Sequence, residues 1–343
     1  MKRTSLVFVA LTLLLGGTGG ALAATRIKIA TLAPENSSWM QEFRAGAAEI
    51  KTRTEGRVVF KFYPGGVQGN ESKVLRKIQI GQLQGGTFSP TDFQKQFPDL
   101  NIYGLPFVFE SEDEVDYVRK FLDPQLEAHF EELGFVTFGF ASGGFAIVMS
   151  NDPVRNQADM RGKNVWLPEG DLISYEAMKA LQLAPYTAPI TDVLTGLQTG
   201  LIDIVAIPPV VALALQWHTK VRYVTPVPVL YVMGFMAIQK KAFDKLDAAD
   251  QAVVREVMTG IYAMVNAHSR EQAANATAAL ASVGLEMLQV DDSEFAEMRN
   301  TAMRTNREMA QRGMFSLQLL EEMQRHIEDY RHGHRAALDG GTP

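Results

Sequence analysis

Three segments between residues 143 and 209 decide the fold: Gly143-Gly-Phe-Ala-Ile-Val-Met149, Asp159-Met-Arg-Gly-Lys-Asn-Val-Trp-Leu-Pro168 and Leu197-Gln-Thr-Gly-Leu-Ile-Asp-Ile-Val-Ala-Ile-Pro-Pro209. Each segment is typical of a strand edge or a strand-to-helix turn, where an α/β sheet presents side chains to a ligand. All three carry apolar residues where a binding site normally has polar ones. They predict an α/β protein whose ligand cleft has a mainly apolar surface.

The flanking sequence indicates two lobes. An alternating strand at 26–31, a helix from Trp39 to about Thr54 and a second strand at 58–63 form a βαβ unit, which predicts a largely parallel sheet covered by helices. A helical pattern from Asp247 to about Val283 is long enough to bridge two lobes. The length of 343 residues and the absence of a low-complexity linker predict several crossings between lobes that hinge.

The first 23 residues have the three parts of a cleavable signal peptide. Lys2 and Arg3 supply the charge, residues 6–15 the apolar core, and Ala21-Leu-Ala23 the cleavage site. The apolar core is shorter than the roughly 20 residues of a membrane span. We therefore expect export to the periplasm.

Composition excludes several function classes. The chain has no cysteine, hence no disulfide, thiolate nucleophile or cysteine-ligated zinc, and a formal charge of −6 without a basic stripe argues against nucleic acid. Neither a dinucleotide fingerprint nor a P-loop nor a nucleophile elbow is present. His326, His332 and His334 fall near or in a tail at 332–343 that we expect to be flexible, which disfavours a metal site. We predict a non-enzymatic protein without catalytic residues, metal or cofactor.

The motifs resemble those of one family, the DctP-type substrate-binding proteins of tripartite ATP-independent periplasmic (TRAP) transporters. The matching stretches are Ile27-Lys-Ile-Ala-Thr31, Tyr63-Pro-Gly-Gly66 with Gly69, Gly81-Gln-Leu83, Leu105-Pro-Phe107, Asp159-Met-Arg-Gly-Lys163, and Leu197-Gln-Thr-Gly200 with Asp203 and Pro208. They keep the family's order and spacing over the mature chain. The resemblance implies a type II-like periplasmic binding protein with two α/β lobes, a central ligand cleft, a long bridging helix and a membrane permease as partner.

Three positions depart from the family pattern. Members usually have arginine where this chain has Ala146, a second, carboxylate-clamping arginine where it has Trp166, and Glu-Asn where it has Ala206 and Ile207. Burying an unpaired carboxylate costs several kcal/mol. The departures argue against an organic-acid ligand and give a closer resemblance to the branch that is associated with tetratricopeptide-repeat proteins and hydrophobic ligands.

The predicted ligand-binding residues combine an apolar wall with a few polar groups: Trp39, Phe88, Ser89, Asp92, Phe145, Ala146, Trp166, Ile207, Pro208, Tyr231 and Phe235. Alternatives stay open for several of them. Trp166 is either a cleft wall or a core residue, Ala146 either lines the cleft or lies behind it, and Ser89 and Asp92 are either ligand contacts or surface groups.

The leading functional hypothesis is a periplasmic receptor that captures a hydrophobic or neutral, lipid-like ligand by lobe closure. It would deliver the ligand to a TRAP permease or to a tetratricopeptide-repeat partner, and it would be monomeric or a homodimer. One alternative is a conventional receptor for a small carboxylate that uses a displaced cation such as Arg155 or Arg161. Another is a scaffold or chaperone without ligand. The predicted lobes are 24–143 plus 232–271 and 144–231 plus 272–331.

Overall fold

A computed structural model describes residues 24–339 as a mixed α/β fold. The predicted signal peptide and the last four residues lie outside the described residues. The strands are β1 (Thr25–Ala30), β2 (Val58–Tyr63), β3 (Gly85–Phe88), β4 (Phe135–Val136), β5 (Ala141–Ser150), β6 (Asn164–Pro168), β7 (Ala184–Ala188), β8 (Ile204–Ile207), β9 (Tyr223–Gln239) and β10 (Glu286–Met287).

The helices alternate with these strands over most of the chain. They are α1 (Ser38–Arg53), α2 (Glu71–Gln79), α3 (Glu112–Glu132), α4 (Leu172–Ala180), α5 (Val193–Thr199), α6 (Pro209–Ala214), α7 (Lys240–Phe243), α8 (Ala248–Ser282), α9 (Ala296–Gln311) and α10 (Leu317–Asp339). Short 3₁₀ turns occupy Pro90–Phe93, Pro98–Gly104, Gln157–Met160, Ile190–Asp192, Trp217–Lys220 and Asp292–Phe295. Within residues 24–339, no helix is both long and apolar enough to cross a bilayer.

The strands form one sheet in the order β2-β1-β3-β9-β5-β8-β6-β7. Pairing is parallel at the two ends, between β1 and its neighbours and between β6 and its neighbours. At the centre it is antiparallel, because β9 runs against β3 and β5, and β5 runs against β8. The sheet is therefore mixed, and the prediction of a largely parallel sheet is wrong for its central part. We call the β1–β3 side lobe I and the β5–β8 side lobe II.

Two elements connect the lobes. The 17-residue strand β9 pairs with β5 along its first half and with β3 near its end, so it belongs to both lobes. Helix α8 packs on α1 in lobe I and on α6 in lobe II. Between these contacts, the Asn266 side chain accepts from the Ser142 N–H at 2.7 Å and donates to the Phe140 carbonyl at 2.9 Å, which ties α8 to the start of β5. The long bridging helix is confirmed.

Local sequence explains where the principal helices begin. The side chains of Ser37, Asn70 and Asp247 accept hydrogen bonds from the first-turn backbone of α1, α2 and α8 and so satisfy N–H groups that a helix end leaves unpaired. Helix α3 continues through Pro124, and its buried residues lie on both sides of that position, at Leu122 and Leu126.

The C-terminal helices fold back over both lobes. Helix α9 packs on α4 of lobe II, whereas α10 packs on α3 of lobe I, where Arg331 pairs with the buried Glu114. This contact places 317–331 beside lobe I and not in lobe II as expected. Helix α10 also extends to Asp339, beyond the start of the predicted tail at His332.

Candidate ligand-binding site

The main cavity lies between the lobes and has a volume of about 230 Å³. Lobe I contributes the start of α2, the turn after β3 and the 3₁₀ turn at Pro98–Gly104. Lobe II contributes the ends of β6 and β8, helix α4 and the middle of β9. Strand ends and helix starts from both lobes therefore face the same space, as expected for the cleft of an open α/β sheet.

The lobe I wall of this cavity is polar and includes two acidic side chains, Glu71 and Asp92, beside the Ser89 hydroxyl. Asp92 Oδ2 accepts from the Ser89 N–H at 2.8 Å and from the Ser89 hydroxyl at 2.9 Å. These bonds fix Asp92 at the start of the turn Pro90–Phe93. Glu71 is the first residue of α2, after the capping Asn70.

Burial dominates the electrostatics of this wall. It raises the pKa of Glu71 to about 8, with the neighbouring Asp92 carboxylate as the second cause. It also raises the pKa of Asp92 to about 6, against the opposing effect of the Ser89 hydrogen bonds. Across the cavity, burial raises the pKa of Asp171, which caps α4 through the Ser174 N–H at 2.9 Å. These shifts mean that the site disfavours additional negative charge.

A second cavity of about 200 Å³ lies next to the first. Glu71, Ser89 and Ile190 line both cavities, so the two spaces meet at the lobe I wall. The second cavity is otherwise mainly apolar and reaches toward α1 and α8, with Trp39 on its wall.

No lysine, arginine or histidine is among the described residues that line either cavity. The two cations proposed for a displaced anchor, Arg155 and Arg161, are exposed and line neither space. A carboxylate in the main cavity would face Glu71 and Asp92 without a cationic partner.

Trp166 is both a cavity-lining residue and a core residue, the two alternatives that the sequence left open. It lines the main cavity, yet its side chain belongs to a lobe II core cluster and the residue is only 3% exposed. Its indole N–H donates to the Ala188 carbonyl at 3.0 Å. A buried indole needs such a partner, so Trp166 is anchored in the core and offers only part of its surface to the cavity.

Tyr231 also lines the main cavity from β9 and is buried. Its hydroxyl donates to Ser142 Oγ at 2.5 Å, and Phe145 packs against its ring edge to face with 5.2 Å between centroids. Burial raises the pKa of Tyr231 to about 12, so the hydroxyl stays protonated. Phe145 itself lines neither cavity and acts by supporting Tyr231.

The remaining predicted site residues divide between the cavities and the core. The main cavity receives Ile207, Ser89 and Asp92, and the second receives Trp39, Phe88, Ser89 and Phe235. Ala146 is fully buried on β5 and Pro208 is buried at the start of α6, and neither lines a cavity. For Ala146, the structure agrees with the alternative of a position behind the cleft, whereas Pro208 was predicted to line the cleft and does not.

Sequence reasoning missed Glu71 and Asp171. Both occupy helix starts, where acidic residues are common for capping and dipole reasons alone, so nothing in their local pattern indicated a cavity. In the part of the chain that the structure describes, no group of three or more histidine and acidic side chains is arranged to hold a metal ion.

Comparisons with known proteins agree with this architecture. Residues 29–312 match the family model DctP, described as bacterial extracellular solute-binding protein, family 7. The C4-dicarboxylate-binding periplasmic protein DctP of Rhodobacter capsulatus is 23% identical over 270 residues, which cover 76% of this chain and 78% of that protein.

Two solved structures share the fold at low identity. A TRAP periplasmic solute-binding protein from Haemophilus influenzae with bound L-gulonate has a TM-score of 0.81 at 16% identity, covering 89% of this chain and 99% of that one. The sugar acid binding protein DctPAm from Advenella mimigardefordensis, in complex with galactonate, has a TM-score of 0.82 at 16% identity, covering 89% of this chain and 98% of that one. With its match over residues 29–312, this chain belongs to the DctP family of bacterial extracellular solute-binding proteins, family 7.

Proposed function

We propose that this member of the DctP family captures an uncharged, largely apolar small molecule between its lobes and delivers it to a TRAP permease. The observation that carries the proposal is the cavity wall, where Glu71, Asp92 and Asp171 occur without a lysine or arginine among the described lining residues. An anionic ligand would lose its hydration there and gain no opposite charge. An uncharged ligand gains from the apolar surface and uses the polar groups for orientation.

The cavity volume limits the ligand. Ligand pockets usually measure about 300–1,000 Å³, and the main cavity has only about 230 Å³. The adjoining second cavity adds about 200 Å³, which keeps the combined space at the lower end of that range. We therefore narrow the lipid-like hypothesis to a small molecule with an apolar body.

A small organic acid is the second candidate, and the comparisons favour it over our own. The similar proteins hold L-gulonate and galactonate, or are named for C4-dicarboxylates. In this chain, such an acid needs hydrogen bonds from protonated carboxyl groups, since the usual cation is replaced by Trp166. Arg155 and Arg161, which are exposed and line neither cavity, do not supply that cation in the described conformation.

The transport role rests on hinge closure and on secretion. We propose that the lobes, bounded at residues 143/144 and 231/232 with α10 reassigned to lobe I, close over the ligand in the periplasm, and that no chemical reaction follows. The permease is the partner that TRAP transport requires. A tetratricopeptide-repeat partner, a homodimer and a ligand-free scaffold stay predictions.

Calorimetric titration with matched ligands tests the proposal. Hexan-1-ol and benzyl alcohol are compared with hexanoate and benzoate, together with galactonate and gulonate, each at low and high salt. We expect the alcohols to bind at least tenfold more tightly than their acids and independently of salt. Tight binding of an acid that weakens with salt would support the second candidate instead.

A further inference from the structure

The main cavity does not end in the cleft but continues into the interior of lobe II. Its wall includes Val148 on β5, Val165 on β6 and Ile204 on β8, which are at most 2% exposed and belong to one core cluster. On the opposite side, Ala177 of α4 and Met298 of α9 complete the wall. We call this space, lined by Val148, Met160, Val165, Ala177, Ile204 and Met298, the lobe II pouch.

Such a space is unusual for a folded core. Protein interiors are close-packed and leave few voids larger than a water molecule. The pouch residues are apolar, so water there finds no hydrogen-bond partner, and apolar cavities of this kind stay dry and take up small apolar molecules. Met160 and Met298 add flexible thioether side chains that adapt to ligands of different shape.

The two ends of the cavity differ in chemistry. The six pouch residues are apolar, whereas the lobe I end carries Glu71, Ser89 and Asp92 within the same cavity, and the lobe II carboxyl of Asp171 lies outside the pouch set. Carboxyl groups there accept hydrogen bonds from hydroxyl or amide donors, and no lysine, arginine or histidine among the described lining residues pairs with a carboxylate. A ligand that satisfies both ends has an apolar part and a donor group at its other end.

We propose that the lobe II pouch binds the aliphatic part of an amphipathic small ligand whose hydroxyl- or amide-bearing end faces Glu71 and Asp92. This inference rests on the proposed function, because it names the ligand class of the same cleft. It assigns a task to lobe II residues other than the family-pattern positions Ala146, Trp166 and Ile207. Lobe II then recognises the apolar part and lobe I the polar end.

A chain-length series tests the pouch directly. Straight-chain alkan-1-ols from butanol to octanol, and the alkanoates of the same lengths, are titrated into the purified protein by calorimetry. We expect the alkanol dissociation constant to fall about threefold to fourfold for each added methylene, as burial of a CH₂ group predicts. Once the pouch is full, the constant should stop falling.

Two variants change the pouch in opposite directions. Ala177→Leu fills the pouch, so the alkanol dissociation constant should stop falling at a shorter chain than in the wild type. Met298→Ala enlarges the pouch, so the constant should keep falling to a longer chain. Ala180→Leu is the matched control, because Ala180 lies on the exposed face of the same helix. The control should keep the wild-type chain-length profile.

The outcomes separate the pouch from the proposed function. If alkanoates bind more tightly than alkanols and both improve with chain length, the pouch stands and the uncharged-ligand proposal fails. If the ligands bind but chain length has no effect, or Ala177→Leu behaves as Ala180→Leu does, the pouch is refuted while the proposed function survives. Failure of both series to bind contradicts both proposals.

Discussion

Trp166 and Trp217 pack edge to face in lobe II, with ring centroids 5.1 Å apart and ring planes at 85°. Trp217 is 1% exposed and Trp166 is 3% exposed. Trp166, at the position where the family resemblance implies an arginine, is thus a side chain that is fixed in the core. Tryptophan at position 166 therefore leaves the site without that cation and at the same time adds the contact with Trp217 to the core.

Replacement of Trp166 should therefore destabilise the protein. Trp166→Ala removes the contact with Trp217 and the hydrogen bond to the Ala188 carbonyl, and a core Trp→Ala change costs about 3–5 kcal/mol. Urea unfolding followed by circular dichroism measures the loss. Trp39→Ala is the control, because Trp39 is only partly buried at the second cavity, and it should lose clearly less. Equal losses would contradict the core assignment.

Replacement of Glu71 should change how stability depends on pH. Burial raises the folded-state pKa of Glu71 to about 8 from an ordinary value of 4.5. The group is neutral in both states below pH 4.5, so the folded state loses stability as pH rises from 4.5 to about 8, and above pH 8 the full penalty remains. Glu71→Gln removes this penalty. We expect the unfolding free energy of Glu71→Gln to exceed that of the wild type by an amount that grows between pH 5 and pH 9. This difference should reach at least about 1 kcal/mol, since a tenfold change in proton affinity corresponds to about 1.4 kcal/mol.

The control for this experiment is Glu286→Gln, at an exposed position on β10. It should show no comparable pH-dependent gain. A Glu71→Gln curve parallel to the wild-type curve would refute the buried carboxyl at the cleft.

Glycine-to-alanine substitution should change the stability of the protein in opposite directions at Gly144 and Gly260. Gly144 has a φ of +85° at an irregularity in the pairing of β5 with β9, and a side chain there is strained. Gly260 lies on the exposed face of α8 with no atom within 4 Å of an added Cβ. Gly144→Ala should destabilise by about 1–2 kcal/mol, and Gly260→Ala should stabilise by about 0.4–1 kcal/mol. Thermal unfolding measures both, and a gain at Gly144 would contradict the strained backbone.

A cation placed in the cavity should reverse its charge preference. Ala206 lines the main cavity from β8 and is partly buried. Ala206→Arg should strengthen binding of hexanoate at least tenfold, because the guanidinium pairs with a carboxylate. It should weaken binding of hexan-1-ol, because the charged side chain replaces part of the apolar cavity surface. Leu201→Arg adds the same charge at an exposed position and should change neither affinity. Unchanged acid binding in Ala206→Arg would show that the missing cation does not set the preference.

Much of the fold was predictable because its determinants are local. The capping Asp247 and the continuous helical pattern fixed α8 almost to its ends. The direction of the central strands was not predictable, since β5 and β9 are largely apolar and their pairing depends on distant partners. Their antiparallel pairing follows from tertiary packing that no single stretch encodes.

The site was predictable only in part. The missing cation was visible from the resemblance. Ser89 and Asp92 line the cavity, and their role as ligand contacts stays a prediction. The pouch was not predictable, because Val165 and Ile204 have the pattern of ordinary core strand residues. Only the packing of α4 and α9 against the sheet shows that the space between them is unfilled.

The central claim is that this cleft holds an uncharged ligand without a cationic anchor. Native mass spectrometry of the protein purified from a periplasm, followed by organic extraction of the bound molecule, tests it most directly. We predict an added mass that corresponds to a small, uncharged molecule with an apolar body and a hydroxyl or amide group. A bound sugar acid or dicarboxylate, retained at low salt and lost at high salt, would contradict the account.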